Sequence, residues 1–214
     1  MSIDAYVLIG GRSSRLGRDK AAIKVGGLPL AVRAAQTVGE ALPEARVSLV
    51  AGHSGQFGGE ASFGEFPLLF DLVEGRGPIG GLHAALSNAR TDWIFVLACD
   101  YPFVSPVFLK LLGGMISDEF EAVAPEQPDG LTQPLCAFYR KDAIFPIIDR
   151  NVKTPRSPPP LYRIISGLHT RTVRYEEYSH LPGCDELFIN INTQQDLEKL
   201  REIEDRPRRK SSSL

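Results

Sequence analysis

The longest uninterrupted apolar run in the sequence is Trp93–Cys99, which reads WIFVLAC. A strand with one face in water alternates apolar and polar residues, because its side chains point in turn to opposite faces. Within this run Trp93–Ala98 has no polar position, so it predicts a strand covered on both faces, as at the centre of a parallel sheet. The seven residues of the run are far fewer than the roughly 20 that a membrane-spanning helix needs.

Other apolar runs alternate with helical patterns along the chain. Strands are also predicted at Ala5–Ile9, Arg46–Ala51, Phe66–Phe70, Glu121–Pro125, Pro134–Tyr139, Thr170–Tyr175 and Leu187–Ile191. Helices are predicted from Pro29, over His83–Ala89, after Ser105, over Lys141–Arg150, over Leu161–Ser166 and after Thr193. This alternation is typical of βαβ units, so the sequence predicts an α/β fold with a mostly parallel central sheet. In such sheets ligands bind beyond the carboxyl ends of the strands.

Composition narrows the class of protein. The chain has 214 residues, of which 43% are hydrophobic and 23% charged, so we expect one domain over residues 1–205 and a disordered basic tail over 206–214. The net charge of −2 argues against a nucleic-acid partner. The cysteines, Cys99, Cys136 and Cys184, are odd in number and scattered, which argues against disulfides and zinc. With no apolar span and no basic leader segment, we expect a cytoplasmic protein without membrane contact.

A basic, glycine-rich loop follows the first predicted strand. Residues 10–20 read GGRSSRLGRDK and contain three glycines, two serines, three arginines and one lysine. Glycines allow backbone N–H groups to turn toward an anion, and the cationic side chains add charge. The loop lacks both the Walker A and the GxGxxG spacing. It indicates a triphosphate site, with a solvated basic turn as the alternative.

Two aspartates stand at the ends of predicted strands. Asp100 follows Trp93–Cys99, and Asp71 follows Phe66–Phe70. A carboxylate at a buried strand end is unfavourable unless it is hydrogen-bonded or bound to a metal ion. Asp100 is therefore a candidate Mg²⁺ ligand beside a triphosphate, although each aspartate could instead serve a turn. Gly77–Gly81 offers backbone N–H donors at the start of a helix.

Asn190 and Asn192 close the last predicted strand, Leu187–Ile191. Residues two apart on a strand point to one face. The two amides could therefore bind a polar heterocycle together, or they could cap the helix that begins after Thr193.

Five segments, in order along the chain, resemble one family of enzymes. They are LIGGRSSRLGRDK at 8–20, Asp71 six residues before GPIGGL at 77–82, CDYPF at 99–103, QPL at 133–135 and FININT at 188–193. Together the segments resemble the molybdenum cofactor guanylyltransferases, and the resemblance covers about residues 5–200. It implies a three-layer Rossmann-like nucleotidyltransferase fold of the glycosyltransferase-A type.

The resemblance also implies an activity and a site. The expected reaction transfers GMP from GTP to the terminal phosphate of molybdenum-molybdopterin, and it releases pyrophosphate. The implied nucleotide site comprises Leu8, Ile9, Gly10, Gly11, Lys20, Asp71, Gly80 and Asp100. Catalytic roles are implied for Arg15, Lys20 and Asp100, with Asp100 as the ligand of a Mg²⁺ cofactor. Asn190 and Asn192 are expected on the molybdopterin side, and molybdoenzyme apoproteins or chaperones are expected as further partners.

Departures from the family pattern keep alternatives open. Ile9 stands where the family usually has Ala, and Val50–Gly52 lacks the Asn that often ends the second strand. The alternatives are a nucleotidyltransferase that uses CTP or another phosphorylated acceptor, and a nucleotide-binding regulator without turnover. The double glycine at Gly10 and Gly11 favours the guanylyl branch, because the cytidylyl relatives usually carry LAAG there.

The segment Lys153–Pro160 contains four prolines and has no counterpart in the family pattern. Its proline density, with Lys153 and Arg156, predicts a semi-rigid flap that helps to hold the anionic acceptor. A simple connector is the alternative.

Overall fold

The computed structural model describes residues 2–10, 19–57 and 63–204, with side chains described through 200. In chain order the strands are β1 (Ile3–Leu8), β2 (Lys24–Val25), β3 (Leu28–Pro29), β4 (Arg46–Ala51), β5 (Leu68–Phe70), β6 (Trp93–Ala98), β7 (Ala122–Pro125), β8 (Cys136–Arg140) and β9 (Thr170–Val173). The α-helices are α1 (Leu30–Ala41), α2 (Pro78–Asn88), α3 (Pro106–Gly113), α4 (Lys141–Lys153), α5 (Leu161–Ile165), α6 (Tyr175–Tyr178) and α7 (Gln194–Glu204). Short 3₁₀ turns lie at Lys20–Ala22 and Cys184–Glu186.

Seven strands form the main sheet in the order β5-β4-β1-β6-β8-β7-β9. Strand β8 runs antiparallel to both of its neighbours, β6 and β7, and the other pairings in this sheet are parallel. The antiparallel step follows from the short connection after β7, since two parallel neighbours would need a long crossover. The prediction of an α/β fold with a mostly parallel central sheet is confirmed.

Strand β6 is buried along its whole length between two layers of helices. Trp93 and Phe95 belong to the apolar cluster under α1 and α3, while Ile94 and Val96 belong to the cluster under α2, α4 and α5. Each face of β6 therefore has its own core, which is why the sequence shows no polar position there. The predicted three-layer arrangement is confirmed.

Two helix starts follow the predicted capping pattern. The Ser105 hydroxyl accepts the Phe108 N–H at 3.3 Å, and Pro106 is the first residue of α3. At α7 the Thr193 hydroxyl accepts the Asp196 N–H at 3.2 Å, and the Asp196 carboxylate accepts the Thr193 N–H at 2.8 Å. These bonds use backbone donors that a helix leaves unpaired at its start.

The prediction of a strand at Leu187–Ile191 is wrong. Leu187 and Ile191 are buried as expected, but the segment pairs with no strand of the sheet. The Ile189 N–H donates to the Glu186 carbonyl at 3.0 Å, and the Ile191 N–H donates to the Asp100 carbonyl at 3.2 Å. The apolar residues of the segment predict which side chains are buried. They do not predict where the backbone N–H groups donate, and here these groups donate to carbonyls outside the sheet.

The proline-rich segment is hydrogen-bonded at its start to the turn before α2. Helix α4 extends through Lys153, whose ammonium lies 2.7 Å from the Asp149 carboxylate one turn earlier, so the prediction that placed Lys153 in the loop is wrong. The Arg76 guanidinium donates to the carbonyl oxygens of Thr154, at 2.6 Å, and Arg156, at 3.2 Å. These two bonds tie the segment to the turn before α2.

None of the helices in the described ranges has the length and apolar character that crossing a bilayer requires. The predicted basic tail, 206–214, lies outside the described residues, as do Gly11 and Arg15.

Leu82 tests the layer under α2, because its side chain is fully buried against the sheet. We expect Leu82→Ala to lower the free energy of unfolding by about 2–5 kcal/mol, through lost burial and the cavity left behind. Urea denaturation measures the change. Leu131→Ala is the matched control, since Leu131 is 60% exposed, and its effect should stay within about 0.5 kcal/mol. Equal losses in the two variants would contradict the packing described here.

Candidate active site

The carboxyl ends of β1, β4 and β6 lie side by side and form the base of the candidate site. The N–H groups of Ile9 and Gly10 both donate to the Val50 carbonyl, at 2.8 and 3.1 Å, and the Cys99 N–H donates to the Leu8 carbonyl at 3.1 Å. The side chains of Leu8 and Ile9 are buried in opposite layers. The polar groups that these residues can offer a ligand are therefore those of the main chain.

Gly10 lies where β1 and β4 approach most closely. A Cβ atom at Gly10 would lie 2.8 Å from the nitrogen and 3.2 Å from the Cα of Gly52. Backbone atoms cannot give way as a flexible side chain can, so only glycine fits at this position. The glycine that the sequence predicts as a phosphate contact thus also allows the two strand ends to meet.

Lys20, Asp100 and Asn192 converge in front of these strand ends. The Lys20 ammonium lies 3.6 Å from Asp100 Oδ2 and donates to Asn192 Oδ1 at 2.5 Å. Burial raises the pKa of the Asp100 carboxyl, and the nearby Lys20 charge opposes the rise. The structure therefore brings together three of the predicted site residues from distant parts of the chain.

Asn190 makes a different contact from Asn192, and the two do not lie on a common strand face because residues 187–191 form no strand. The Asn190 side chain hydrogen-bonds to Tyr101, and the Tyr101 hydroxyl donates to Gln133 Oε1 at 2.6 Å. Burial raises the pKa of Tyr101 well above its ordinary value, so the hydroxyl stays neutral. This contact links the turn after β6 to the connection between β7 and β8, and the sequence carries no signal for it beyond the two separate motifs.

Asp71 lies against the first turn of α2. Its N–H donates to the Ala51 carbonyl at 2.9 Å, and a Cβ atom at Gly80 would lie 2.6 Å from its Oδ2. The carboxylate thus occupies the space that the missing side chain of Gly80 leaves. Burial, followed by the charge of Glu74, raises the pKa of Asp71 to about 7.

Gln56 joins the site, and the sequence analysis missed it. Its amide donates to the Ile9 carbonyl at 2.9 Å and to Asp19 Oδ2 at 2.5 Å, and its Oε1 accepts the Gly52 N–H at 2.7 Å. The residue lies in a segment rich in glycine and serine, for which the sequence predicts no strand or helix. No spacing or residue type there indicates a role, because all three contacts depend on the folded arrangement.

The donor set suits a Mg²⁺ ion that is bound together with phosphate. Among the described residues, no group of three or more His, Cys, Asp or Glu side chains could hold a metal ion. Mg²⁺ commonly takes one or two protein carboxylates and completes its octahedron with substrate phosphates and water. Asp100, a quarter exposed at the strand end beside Lys20, fits that pattern.

Comparison with known proteins places the chain among nucleotidyltransferases. Residues 5–157 match the family model described as MobA-like NTP transferase domain. The molybdenum cofactor guanylyltransferase of Desulfosudis oleivorans is 33% identical over 132 residues, which are 62% of this chain and 63% of that protein. The alignment with this relative thus spans slightly less than two thirds of its length.

Two further comparisons extend over almost the whole chain. A protein of Pelotomaculum thermopropionicum, named "Probable molybdenum cofactor guanylyltransferase", is 30% identical over 91% of this chain and 90% of its own length. The crystal structure of molybdopterin-guanine dinucleotide biosynthesis protein A from Archaeoglobus fulgidus superposes with a TM-score of 0.75. That protein is 26% identical, and the match covers 95% of this chain and 98% of the other.

The raised pKa of Asp71 makes stability depend on pH. The folded chain keeps a proton on Asp71 up to about pH 7, whereas the ordinary value of 3.8 applies when the chain unfolds. The folded state therefore binds more protons between about pH 4 and pH 7, and the contribution of Asp71 to stability falls as pH rises through that window. We expect Asp71→Asn to lose less unfolding free energy than the wild type between pH 5 and pH 8. Urea denaturation at both pH values measures this, and parallel losses in the two proteins would contradict it.

Proposed function

The chain belongs to the family of MobA-like NTP transferase domains, and on that premise we propose that it transfers GMP from GTP to the terminal phosphate of molybdenum-molybdopterin. The observation that carries the proposal is the convergence of Lys20, Asp100 and Asn192 at the carboxyl ends of the central strands. An ammonium, a carboxylate and an amide at that place can bind a metal-bound triphosphate. Pyrophosphate and the guanine dinucleotide form of the cofactor are the products.

The nucleotide would lie across the ends of β1, β4 and β5. The main chain of Leu8–Gly10 borders this crevice, and Asp71 stands beside it against the first turn of α2. The Asp71 carboxylate would accept hydrogen bonds from donor groups of the nucleoside. The pKa of Asp71 is about 7 in the folded chain. Hydrogen bonds from the nucleoside would lower this pKa and so favour the ionised carboxylate.

Lys20 would bind the triphosphate. Its ammonium is held by Asp100 and Asn192 without being enclosed, since about a fifth of the side chain remains exposed. A cation placed in advance stabilises negative charge as it develops on the leaving pyrophosphate, with little reorganisation. Arg15, which lies outside the described residues, would add a second positive charge, as the family resemblance implies.

The reaction itself needs little proton chemistry. The nucleophile is an oxygen of the acceptor's terminal phosphate, which is already ionised near neutral pH. It would form a bond to the α-phosphorus of GTP while the bond from that phosphorus to the β-bridging oxygen breaks, and the electron pair leaves with pyrophosphate. Asp100 would hold Mg²⁺, which neutralises charge on phosphate oxygens when it is bound. The protein's contribution is then mainly in-line positioning and charge neutralisation.

The acceptor would lie on the side of Asn190, Asn192 and Gln133. Asn192 contacts Lys20 directly, and Asn190 is joined through Tyr101 to Gln133. Arg156 is exposed in the proline-rich segment and remains a candidate for contact with the acceptor's phosphate. We propose that the reaction takes place in the cytoplasm and that molybdoenzyme apoproteins or chaperones receive the product.

The preferred nucleotide can be read from thermal stability. We expect GTP with Mg²⁺ to raise the melting temperature more than CTP, ATP or UTP does, because only the correct base adds its own contacts to those of the triphosphate. At one hundred times its dissociation constant, a ligand stabilises the folded state by about 2.7 kcal/mol. Differential scanning fluorimetry at equal nucleotide concentrations makes the comparison. Equal or greater stabilisation by CTP would contradict the guanylyl assignment.

A substitution at Asp100 can distinguish a role in metal binding from a purely structural role in the turn. Asp100→Asn keeps the size of the side chain but removes the charge that would hold the metal ion. We expect kcat to fall by about 10²–10³, the usual loss for one oriented electrostatic contact, with a smaller effect on GTP binding. Pyrophosphate release at saturating GTP and Mg²⁺ measures kcat, and circular dichroism checks the fold. A folded variant with near-normal turnover would assign Asp100 to the turn alone.

A further inference from the structure

We infer that Gln56 is a positioning residue for the triphosphate site, acting through Asp19 on the ammonium of Lys20. The inference rests on the proposed function, because it concerns how the same site is held in place. Gln56 is partly buried in the segment after β4, close to the carboxyl ends of β1 and β4. Its amide hydrogen-bonds to Gly52, Ile9 and Asp19.

The three hydrogen bonds of Gln56 use both N–H donors of its amide and one acceptor position of its oxygen, in one orientation. The oxygen accepts from the Gly52 N–H, and the nitrogen donates to the Ile9 carbonyl and to the Asp19 carboxylate. A primary amide has two N–H donors, and both point at groups that can only accept. The reversed amide would put its oxygen against two acceptors, so the surroundings determine which atom is which.

Asp19 passes this constraint to Lys20. One oxygen of its carboxylate accepts from Gln56, and the other accepts the Ala21 N–H at 2.9 Å, at the start of the 3₁₀ turn Lys20–Ala22. Ala21 is fully buried, so packing also holds this turn in place. A carboxylate bonded at both oxygens cannot rotate freely, and the turn that begins at Lys20 is held with it.

These contacts lead to the proposed charge centre, which consists of Lys20, Asp100 and Asn192. The Lys20 ammonium lies 3.6 Å from Asp100 and 2.5 Å from the oxygen of Asn192. Lysine is long and flexible, and its position depends on where its backbone starts. By fixing Asp19 against the ends of β1 and β4, Gln56 sets that starting point relative to the strand ends where the triphosphate would lie.

The test combines a Gln56 variant with a Lys20 variant. Gln56→Met keeps the length of the side chain and removes every hydrogen bond, and Lys20→Met removes the group that Gln56 would position. The probe is inorganic tripolyphosphate with Mg²⁺, whose dissociation constant is measured by calorimetry. We expect Gln56→Met to weaken binding about tenfold in the wild-type background but less than twofold in the Lys20→Met background, since residues that act through one another are not additive.

An equal loss in both backgrounds would overturn the inference, because a purely structural defect acts whether or not Lys20 is present. No loss in the wild-type background would overturn it as well. Melting temperatures of all variants check the fold, and if Gln56→Met does not fold, Gln56→Asn, whose amide is one methylene too short to span Ile9 and Asp19, is judged by the same two outcomes. Ser54→Ala, in the same exposed segment, is the matched control and should bind as the wild type does.

The probe keeps this result distinct from the proposed function. Tripolyphosphate carries no base and is not an acceptor, so its binding depends neither on the choice of base nor on the acceptor side. If GTP and molybdenum-molybdopterin give no pyrophosphate with the wild-type protein, the proposed reaction is wrong, while the tripolyphosphate measurements still decide the role of Gln56.

Discussion

A strand that is buried on both faces can present polar groups only beyond its ends. Strand β6 contributes its side chains to two separate cores, and Asp100 follows it closely at the carboxyl end. Strand β1 ends at Leu8, and Gly10 follows it by the same interval. Because β1, β4 and β6 are parallel, their carboxyl ends meet at one edge, so the burial that stabilises the sheet also gathers the functional groups.

The groups gathered there are charged but only partly solvated. Burial raises the pKa values of both Asp71 and Asp100, which means that each carboxylate is less stable in the folded chain than it would be in water. Lys20 offsets part of this unfavourable energy at Asp100. A ligand that brings its own cation and its own hydrogen-bond donors would relieve more of it, so these carboxylates suit a metal-bound polyanion better than a neutral molecule.

The sequence predicts the parts of this molecule that depend on local pattern. Trp93–Ala98 and Arg46–Ala51 were predicted as strands, and Asp100 and Lys20 were predicted as partners in one site. It could not show that Leu187–Ile191 lacks a strand partner, because a mostly apolar segment does not reveal where its backbone donors are used. Gln56 and the bond between Tyr101 and Gln133 were invisible for a related reason, since each joins segments that meet only in the folded chain.

Strand β8, which runs opposite to both of its neighbours in the main sheet, has a consequence for how such proteins diversify. Since β8 runs opposite to β7, the connection between them returns at the same edge as Asp100, and Gln133 from this connection reaches Tyr101. Strands β1, β4 and β5, with α2, form the other half of that edge and do not pair with the connection. If the proposed sites are right, an insertion between β7 and β8 would reshape the acceptor's surroundings and leave those of the nucleotide intact, so that a lineage could exchange acceptors while its nucleotide site is inherited unchanged.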